Sequence, residues 1–215
     1  MGRIIDRRRV MGGKKLPYDA EIEYLESSGM QYIDTGIPLF SDMEMTITFQ
    51  LKRNVNNSSV IGSAVSEAYS TANRKQMYLL ANYFYNNIWY MSLAYNNVTN
   101  VSIKDTTLLD DFSTVVVHQH KIIVNGVEFS KENVSPFYAG GNCFLFWSDG
   151  THEWLAQNKA FIKLKRFLLK DSVGILVRDM IPVRVGTTGY LYDKVSGKLF
   201  GNNGTGSFIL GPDKN

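Results

Sequence analysis

Residues 173–212, VGILVRDMIPVRVGTTGYLYDKVSGKLFGNNGTGSFILGP, hold apolar runs at 175–185, 189–192 and 198–200, and a fourth at 207–210. The runs are divided by Gly186-Thr187-Thr188-Gly189, Asp193-Lys194-Val195-Ser196-Gly197 and Gly201-Asn202-Asn203-Gly204. Glycine and asparagine reach positive φ with little steric penalty, and aspartate and serine hydrogen-bond back onto the turns they occupy. Short β-prone runs cut by such clusters predict antiparallel strands and hairpins, and with them an all-β domain.

Working outward, the same pattern recurs. In residues 43–52, Met43, Met45, Ile47, Phe49 and Leu51 share one parity and Glu44, Thr46, Thr48, Gln50 and Lys52 the other. That is a strand with one face on a core and one in water. Strands are predicted at 21–26 and 30–37, about a Ser27-Ser28-Gly29 turn, and at 60–64, 77–82, 88–94, 100–104 and 143–148. Asn86-Asn87 and Asn96-Asn97 mark turns, and Asn125-Gly126 within 113–129 is a strong hairpin signal. In 159–170, Phe161, Leu164, Phe167 and Leu168 have helical spacing, but the segment runs into the C-terminal strands and is assigned to β.

Three stretches near the C-terminus, Arg178-Asp179-Met180-Ile181-Pro182-Val183-Arg184, Gly189-Tyr190-Leu191-Tyr192-Asp193-Lys194-Val195-Ser196-Gly197-Lys198-Leu199-Phe200 and Asn203-Gly204-Thr205-Gly206, are joined by two distinct ones near the start. These are Tyr24-Leu25-Glu26-Ser27-Ser28-Gly29 and Gln31-Tyr32-Ile33-Asp34-Thr35-Gly36-Ile37. Together they resemble the two signatures of a concanavalin A-like, LamG-type jelly-roll family found in gut-bacterial surface proteins and their tailed bacteriophages. The resemblance implies a two-sheet antiparallel jelly-roll sandwich over residues 21–215, with its two signatures on neighbouring strands. It implies little about activity, because one fold hosts many functions.

The chain of 215 residues suits one sandwich domain, and its 44% apolar and 20% charged residues are ordinary for a globular protein. Aromatics reach 13%, mostly 12 Tyr and 12 Phe, which favours pleated surfaces and leaves sugar stacking open. The single cysteine, Cys143, excludes an internal disulfide and is expected to be an inert buried thiol. No apolar run is long enough for a membrane span, and the N-terminus lacks the apolar core of a secretory signal, so synthesis and folding in a bacterial cytoplasm are expected.

Of 23 basic and 20 acidic residues, six basic (Arg3, Arg7, Arg8, Arg9, Lys14, Lys15) and two acidic lie in residues 1–20, which leaves 17 and 18 for a nearly neutral body. Residues 1–20 therefore read as a basic arm. Three readings stand: a solvated tail, a nucleic-acid contact, and an anchor onto a partner protein. The anchor is preferred, with nucleic acid not expected as a partner, because clustered cations repel one another and need external contacts to become ordered.

Catalytic candidates are few. Glu21-Ile22-Glu23-Tyr24-Leu25-Glu26 resembles the E-x-D-x-x-E strand of retaining endoglucanases with this jelly roll, whose two carboxylates sit about 5 Å apart. Glu23 replaces the middle aspartate, and the stretch lies at the first strand, so an edge strand with solvated acids and no enzymatic activity is expected. His118 and His120 share a face but lack further ligands, so no metal site and no cofactor are expected. Calcium, an oxygen-seeking ion, is considered only at the loop around Asp149 and His152. Aromatic residues crowd 78–95, and Trp147 and Trp154 flank a glycine-containing loop; Tyr83, Tyr85, Trp147 and Trp154 are the candidate glycan contacts.

Two functions follow as expectations. One is a non-enzymatic structural or decoration protein of a tailed-bacteriophage virion, on the head or tail, joined to other virion proteins in a larger assembly by the arm. The alternative is a lectin-like module for host or mucosal surface glycans.

Overall fold

The computed structural model describes residues 16–52, 58–65, 75–95, 98–104, 110–119, 121–130, 135–146 and 160–214. Along them run β1 (Ala20–Glu21), β2 (Leu25–Glu26), β3 (Ile33–Phe40), β4 (Glu44–Leu51), β5 (Ser58–Val65), β6 (Lys75–Tyr85), β7 (Ile88–Tyr95) and β8 (Val98–Lys104). Then come β9 (Ser113–His118), β10 (Lys121–Val124), β11 (Val127–Ser130), β12 (Tyr138–Leu145), β13 (Ile162–Lys170), β14 (Leu176–Val185), β15 (Thr188–Asp193), β16 (Lys198–Phe200) and β17 (Ile209–Leu210). The described residues contain no helix. Their strands form two antiparallel sheets, a jelly-roll sandwich as expected. The larger, of eleven strands, follows the order β11-β10-β9-β4-β13-β14-β15-β16, with β1, β2 and β17 off that path; the smaller runs β3-β12-β5-β6-β7-β8.

Period-two alternation builds the core. Met45, Ile47, Phe49 and Leu51 of β4 are buried, and their neighbours turn outward. Ile162, Leu164, Phe167 and Leu169 of β13 join them. A bulge between Leu164 and Arg166 inserts one residue into that rhythm, so Leu164 and Phe167 stand three apart yet face the same way. This is why the segment mimics helical spacing. Ile33, Leu39, Met77, Leu79, Met91, Leu93, Val101, Ile103 and Leu145 of the smaller sheet close the core from the other side. Asn86 and Asn87 turn at φ 49° and 61°, and Asn125-Gly126 at 49° and 88°, the double positive φ of tight hairpins. Residues 113–129 make parts of three strands rather than one pair, because a turn at Gln119 (φ 49°) separates β9 from β10.

The two ends of the chain meet. β1 pairs with β14 at Ala20↔Arg184, β2 with β13 at Leu25↔Leu164, and β17 with β2 at Leu25↔Leu210. The Glu23 amide donates to the Pro212 carbonyl, and the Lys214 amide to that of Glu21, each at 2.9 Å. Residues 20–26 are therefore covered on both sides, which corrects the expected edge strand: the C-terminal segment satisfies the backbone groups those acids were expected to guard. Tyr18 and Asp19 already belong to the sandwich. The Asp19 amide donates to the Arg184 carbonyl at 2.9 Å, its carboxylate accepts from the Gly186 amide at 2.7 Å, and the Tyr18 ring meets Tyr192 edge-on at 5.0 Å.

Candidate functional site

The residues of the two signatures are spent on structure. Arg178 of β14 crosses to the smaller sheet and donates through Nε and Nη2 to the Thr35 carbonyl of β3, at 3.0 and 2.9 Å. Its Nη1 donates to the Val177 carbonyl and lies 3.7 Å from the buried Asp193 carboxylate. Asp193 accepts from the amides of Asp179, Val195 and Ser196, and the Thr35 hydroxyl donates to the Cys143 carbonyl at 2.8 Å. At the loop 201–206, the Asn203 amide donates to the Tyr32 carbonyl and the Thr205 amide to that of Met30. One polar network thus locks both signatures together, which is why they report fold.

The other sequence candidates divide clearly. Glu21 accepts from the Tyr18 hydroxyl at 3.2 Å and lies 3.9 Å from the Lys214 ammonium; Glu26 lies 3.9 Å from that of Lys163. The two carboxylates are each matched to a cation of their own. Cys143 is fully buried, and that burial pushes its thiol up to about 12, so it is an unreactive core residue as expected. His118 stands opposite Glu44 and Lys121 at the end of β9, whereas His120, Asp149 and His152 lie outside the described residues. Among the described residues no group of three His, Cys, Asp or Glu could hold a metal ion.

Of the glycan candidates, Tyr83 and Tyr85 lie on β6, at the register positions of Tyr90 and Ile88 of β7; Trp147 and Trp154 lie outside the described residues. So do Arg3, Arg7, Arg8, Arg9, Lys14 and Lys15 of the arm.

The outer face of the smaller sheet brings together a different set. Phe40, the last residue of β3, is paired with Tyr138, the first of β12. Their rings lie 5.2 Å apart with a 39° tilt, and both are exposed, at 42% and 39%. On the same two strands, Asn142 donates through Nδ2 to both carboxylate oxygens of Asp34, each at 3.1 Å, and the Gly36 amide donates to Oδ1 at 2.7 Å. Complementary bulges create this spacing. The register shifts between Tyr138 and Asn142 and again between Asn142 and Phe144, with Gly140 and Gly36 at φ 92° and 68°. Only glycine takes such a backbone without strain, and the bulges re-aim neighbouring side chains. Further across the face, Tyr78 and Tyr90 are half-buried, while Leu80 and Ser92 are buried and Ser102 and Lys104 exposed. The face is therefore covered over its middle and open at β3–β12 and β8.

Phe40 and Tyr138 are hidden in the sequence, where one predicted strand ends at Ile37 and the other begins at Cys143. Pro38 and Gly140-Gly141 conceal the continuation. The available signal was an aromatic residue beside each break.

Chemically, the β3–β12 end offers two exposed rings, a carboxylate and an amide. Rings stack on apolar faces, while the carboxylate and amide oxygens accept from hydroxyl donors.

No protein-family model matches the chain, and no curated protein does. In fold it is similar to a solved Bacteroides ovatus ATCC 8483 protein described as a "putative carbohydrate binding protein", with TM-score 0.53 and 11% identity. The match covers 89% of this chain and 60% of that one, so this chain spans under two thirds of its neighbour's length. At this identity the likeness concerns the fold.

Proposed function

We propose that this chain is a non-catalytic carbohydrate-binding module of the concanavalin A-like, LamG-type jelly-roll class. The observation that carries the reading is the exposed Phe40–Tyr138 ring pair on the same strands and face as the Asp34–Asn142 pair. Exposed apolar rings beside hydrogen-bonding groups suit a ligand with both C–H faces and hydroxyls, which is what a sugar presents. The fold shared with a protein described as carbohydrate binding supports the same reading. The separate cation partners of Glu21 and Glu26 speak for binding without hydrolysis.

The test is glycan-array binding of the wild type and of Phe40→Ala/Tyr138→Ala. Both rings are exposed, so the double variant should keep its thermal unfolding midpoint within a few degrees and lose at least tenfold in affinity. Undiminished binding by a folded double variant removes this face from the reading, and release of reducing sugar by the wild type removes its non-catalytic part.

A second reading, favoured by the charge asymmetry of residues 1–20, is a virion component of a tailed phage anchored by Arg3, Arg7, Arg8, Arg9, Lys14 and Lys15 to other virion proteins. Guanidinium groups bind carboxylates bidentately and suit such an anchor. The two readings are compatible, since a decoration protein can hold glycans. Deleting residues 1–17 ends the arm just before Tyr18, the first residue with a described contact to the sandwich. The truncated protein should fold and fail to co-sediment with particles that carry the full-length chain; equal co-sedimentation refutes the anchor.

A further inference from the structure

The outer face of the smaller sheet carries an unusual charge balance at its open β3–β12 end, and we infer that Asp34 sets the charge class of the ligand there: neutral or amine-bearing glycans are accepted, and uronate, sulfated and sialylated glycans are rejected. This rests on the carbohydrate-binding reading and goes beyond it by assigning a specificity-determining residue.

Asp34 is half-buried, and its described hydrogen-bond donors are all neutral: the Gly36 amide and the Asn142 side-chain amide. Among the described residues no ion pair holds it. Each carboxylate oxygen has two lone pairs, so acceptor capacity remains for a hydroxyl or ammonium donor. Asn142 commits its Nδ2 to Asp34, which leaves its Oδ1 as a further acceptor. The polar part of the site is thus rich in acceptors and carries a negative charge.

The nearby cation does not cancel that charge. Arg178 lies close, its Nη2 at 3.9 Å from where a Cβ on Gly36 would stand. Its side chain is only 15% exposed, spends its nitrogens on the Thr35 and Val177 carbonyls, and already faces the fully buried Asp193. Asp34, Asp193 and Arg178 together leave one net negative charge. A second acid, Asp42, follows Phe40 by two residues and likewise has no ion pair among the described residues. Lys104 stands on the far edge strand, five strand spacings or about 24 Å from β3, well beyond the ~8 Å screening length at physiological salt. An anionic sugar at Asp34 meets a like charge at the carboxylate itself, whereas an amine meets a charge-assisted acceptor.

The geometry also favours an oligosaccharide over a single ring. Asp34 and Phe40 are six residues apart on β3, at most about 20 Å at the extended rise per residue. A separation near that limit calls for more than one sugar residue.

The experiment uses the full chain on an array holding neutral, amine-bearing, uronate, sulfated and sialylated glycans, followed by calorimetry on N-acetylglucosamine, glucosamine and galacturonate oligomers of equal length. The anionic oligomer should bind at least tenfold more weakly than its neutral counterpart. Asp34→Asn, which keeps the size and one acceptor oxygen, should narrow that gap about tenfold. Binding of the amine-bearing oligomer by the wild type should weaken with added salt while that of the neutral oligomer stays level, a readout that needs no variant. Preferential binding of anionic glycans, or an anionic-to-neutral ratio that a folded Asp34→Asn protein leaves unchanged, overturns the inference and leaves the carbohydrate reading standing. Absence of binding to every member of the array overturns both.

Discussion

Replacing Asp193 by alanine should damage the fold more than any surface change on this protein. The carboxylate is fully buried and accepts three backbone amides, from Asp179 at 2.8 Å, Val195 at 3.2 Å and Ser196 at 3.1 Å. It also faces the Arg178 guanidinium at 3.7 Å. A hydrogen bond to a charged group is worth roughly 1.5–3 kcal/mol, but three do not add fully, because the turn at 194–197 is exposed and its amides regain water. Arg178 does not regain water as readily, and removing one partner of a buried pair costs about 3–5 kcal/mol. The expected loss for Asp193→Ala is therefore about 3–5 kcal/mol, a large share of the ~5–15 kcal/mol that holds a domain folded. Asp193→Asn retains the oxygen that serves Asp179 and Val195 but loses the charge, so about half that loss is expected. Urea unfolding followed by intrinsic fluorescence measures both, and Arg178→Met completes a double-mutant cycle whose coupling should exceed about 1 kcal/mol. An alanine variant that loses less than about 1 kcal/mol at an unchanged urea slope refutes the assignment of Asp193 as the lock between the two signatures.

Other consequences follow from single positions. Gly189→Ala would set a methyl 2.5 Å from Leu25 Cδ2 and 2.6 Å from Leu210 Cδ2, where β2, β15 and β17 converge; overpacking of about 1–3 kcal/mol should lower the thermal midpoint, and no shift would mean those strands are loosely packed. Among the described residues the buried Ser63 hydroxyl has no hydrogen-bond partner, so Ser63→Ala should be neutral or stabilising by up to about 1 kcal/mol, and a clear loss of stability would contradict that. The Cys143 thiol is held up at about 12 by burial, against an ordinary value near 9. Because the folded thiol keeps its proton where the unfolded one loses it, its contribution to stability is full below about pH 9 and declines from there toward pH 12. Cys143→Ser should flatten that decline, and iodoacetamide at pH 8 should label the wild type only in denaturant; rapid labelling of the folded protein contradicts the burial.

Sequence alone determined what is local here. Period-two alternation placed β4, and Asn86-Asn87, Asn125-Gly126 and Asp193–Gly197 marked their turns, because a strand's face and a turn's φ depend on the residues that form them. The two signatures pointed to the two-sheet fold through a resemblance, and their residues fill the lock between the sheets. Tertiary structure decided what depends on distant partners. Residues 20–26 resemble an edge strand until the C-terminal segment pairs with them. The helical spacing of β13 becomes a strand once a bulge is seen against β4. The candidate site was almost illegible: Phe40 and Tyr138 lie past a proline and a glycine pair, and paired bulges bring them beside each other and orient Asn142 toward Asp34. Exposure, unlike alternation, is a property of what the rest of the chain covers, and no window of sequence contains it.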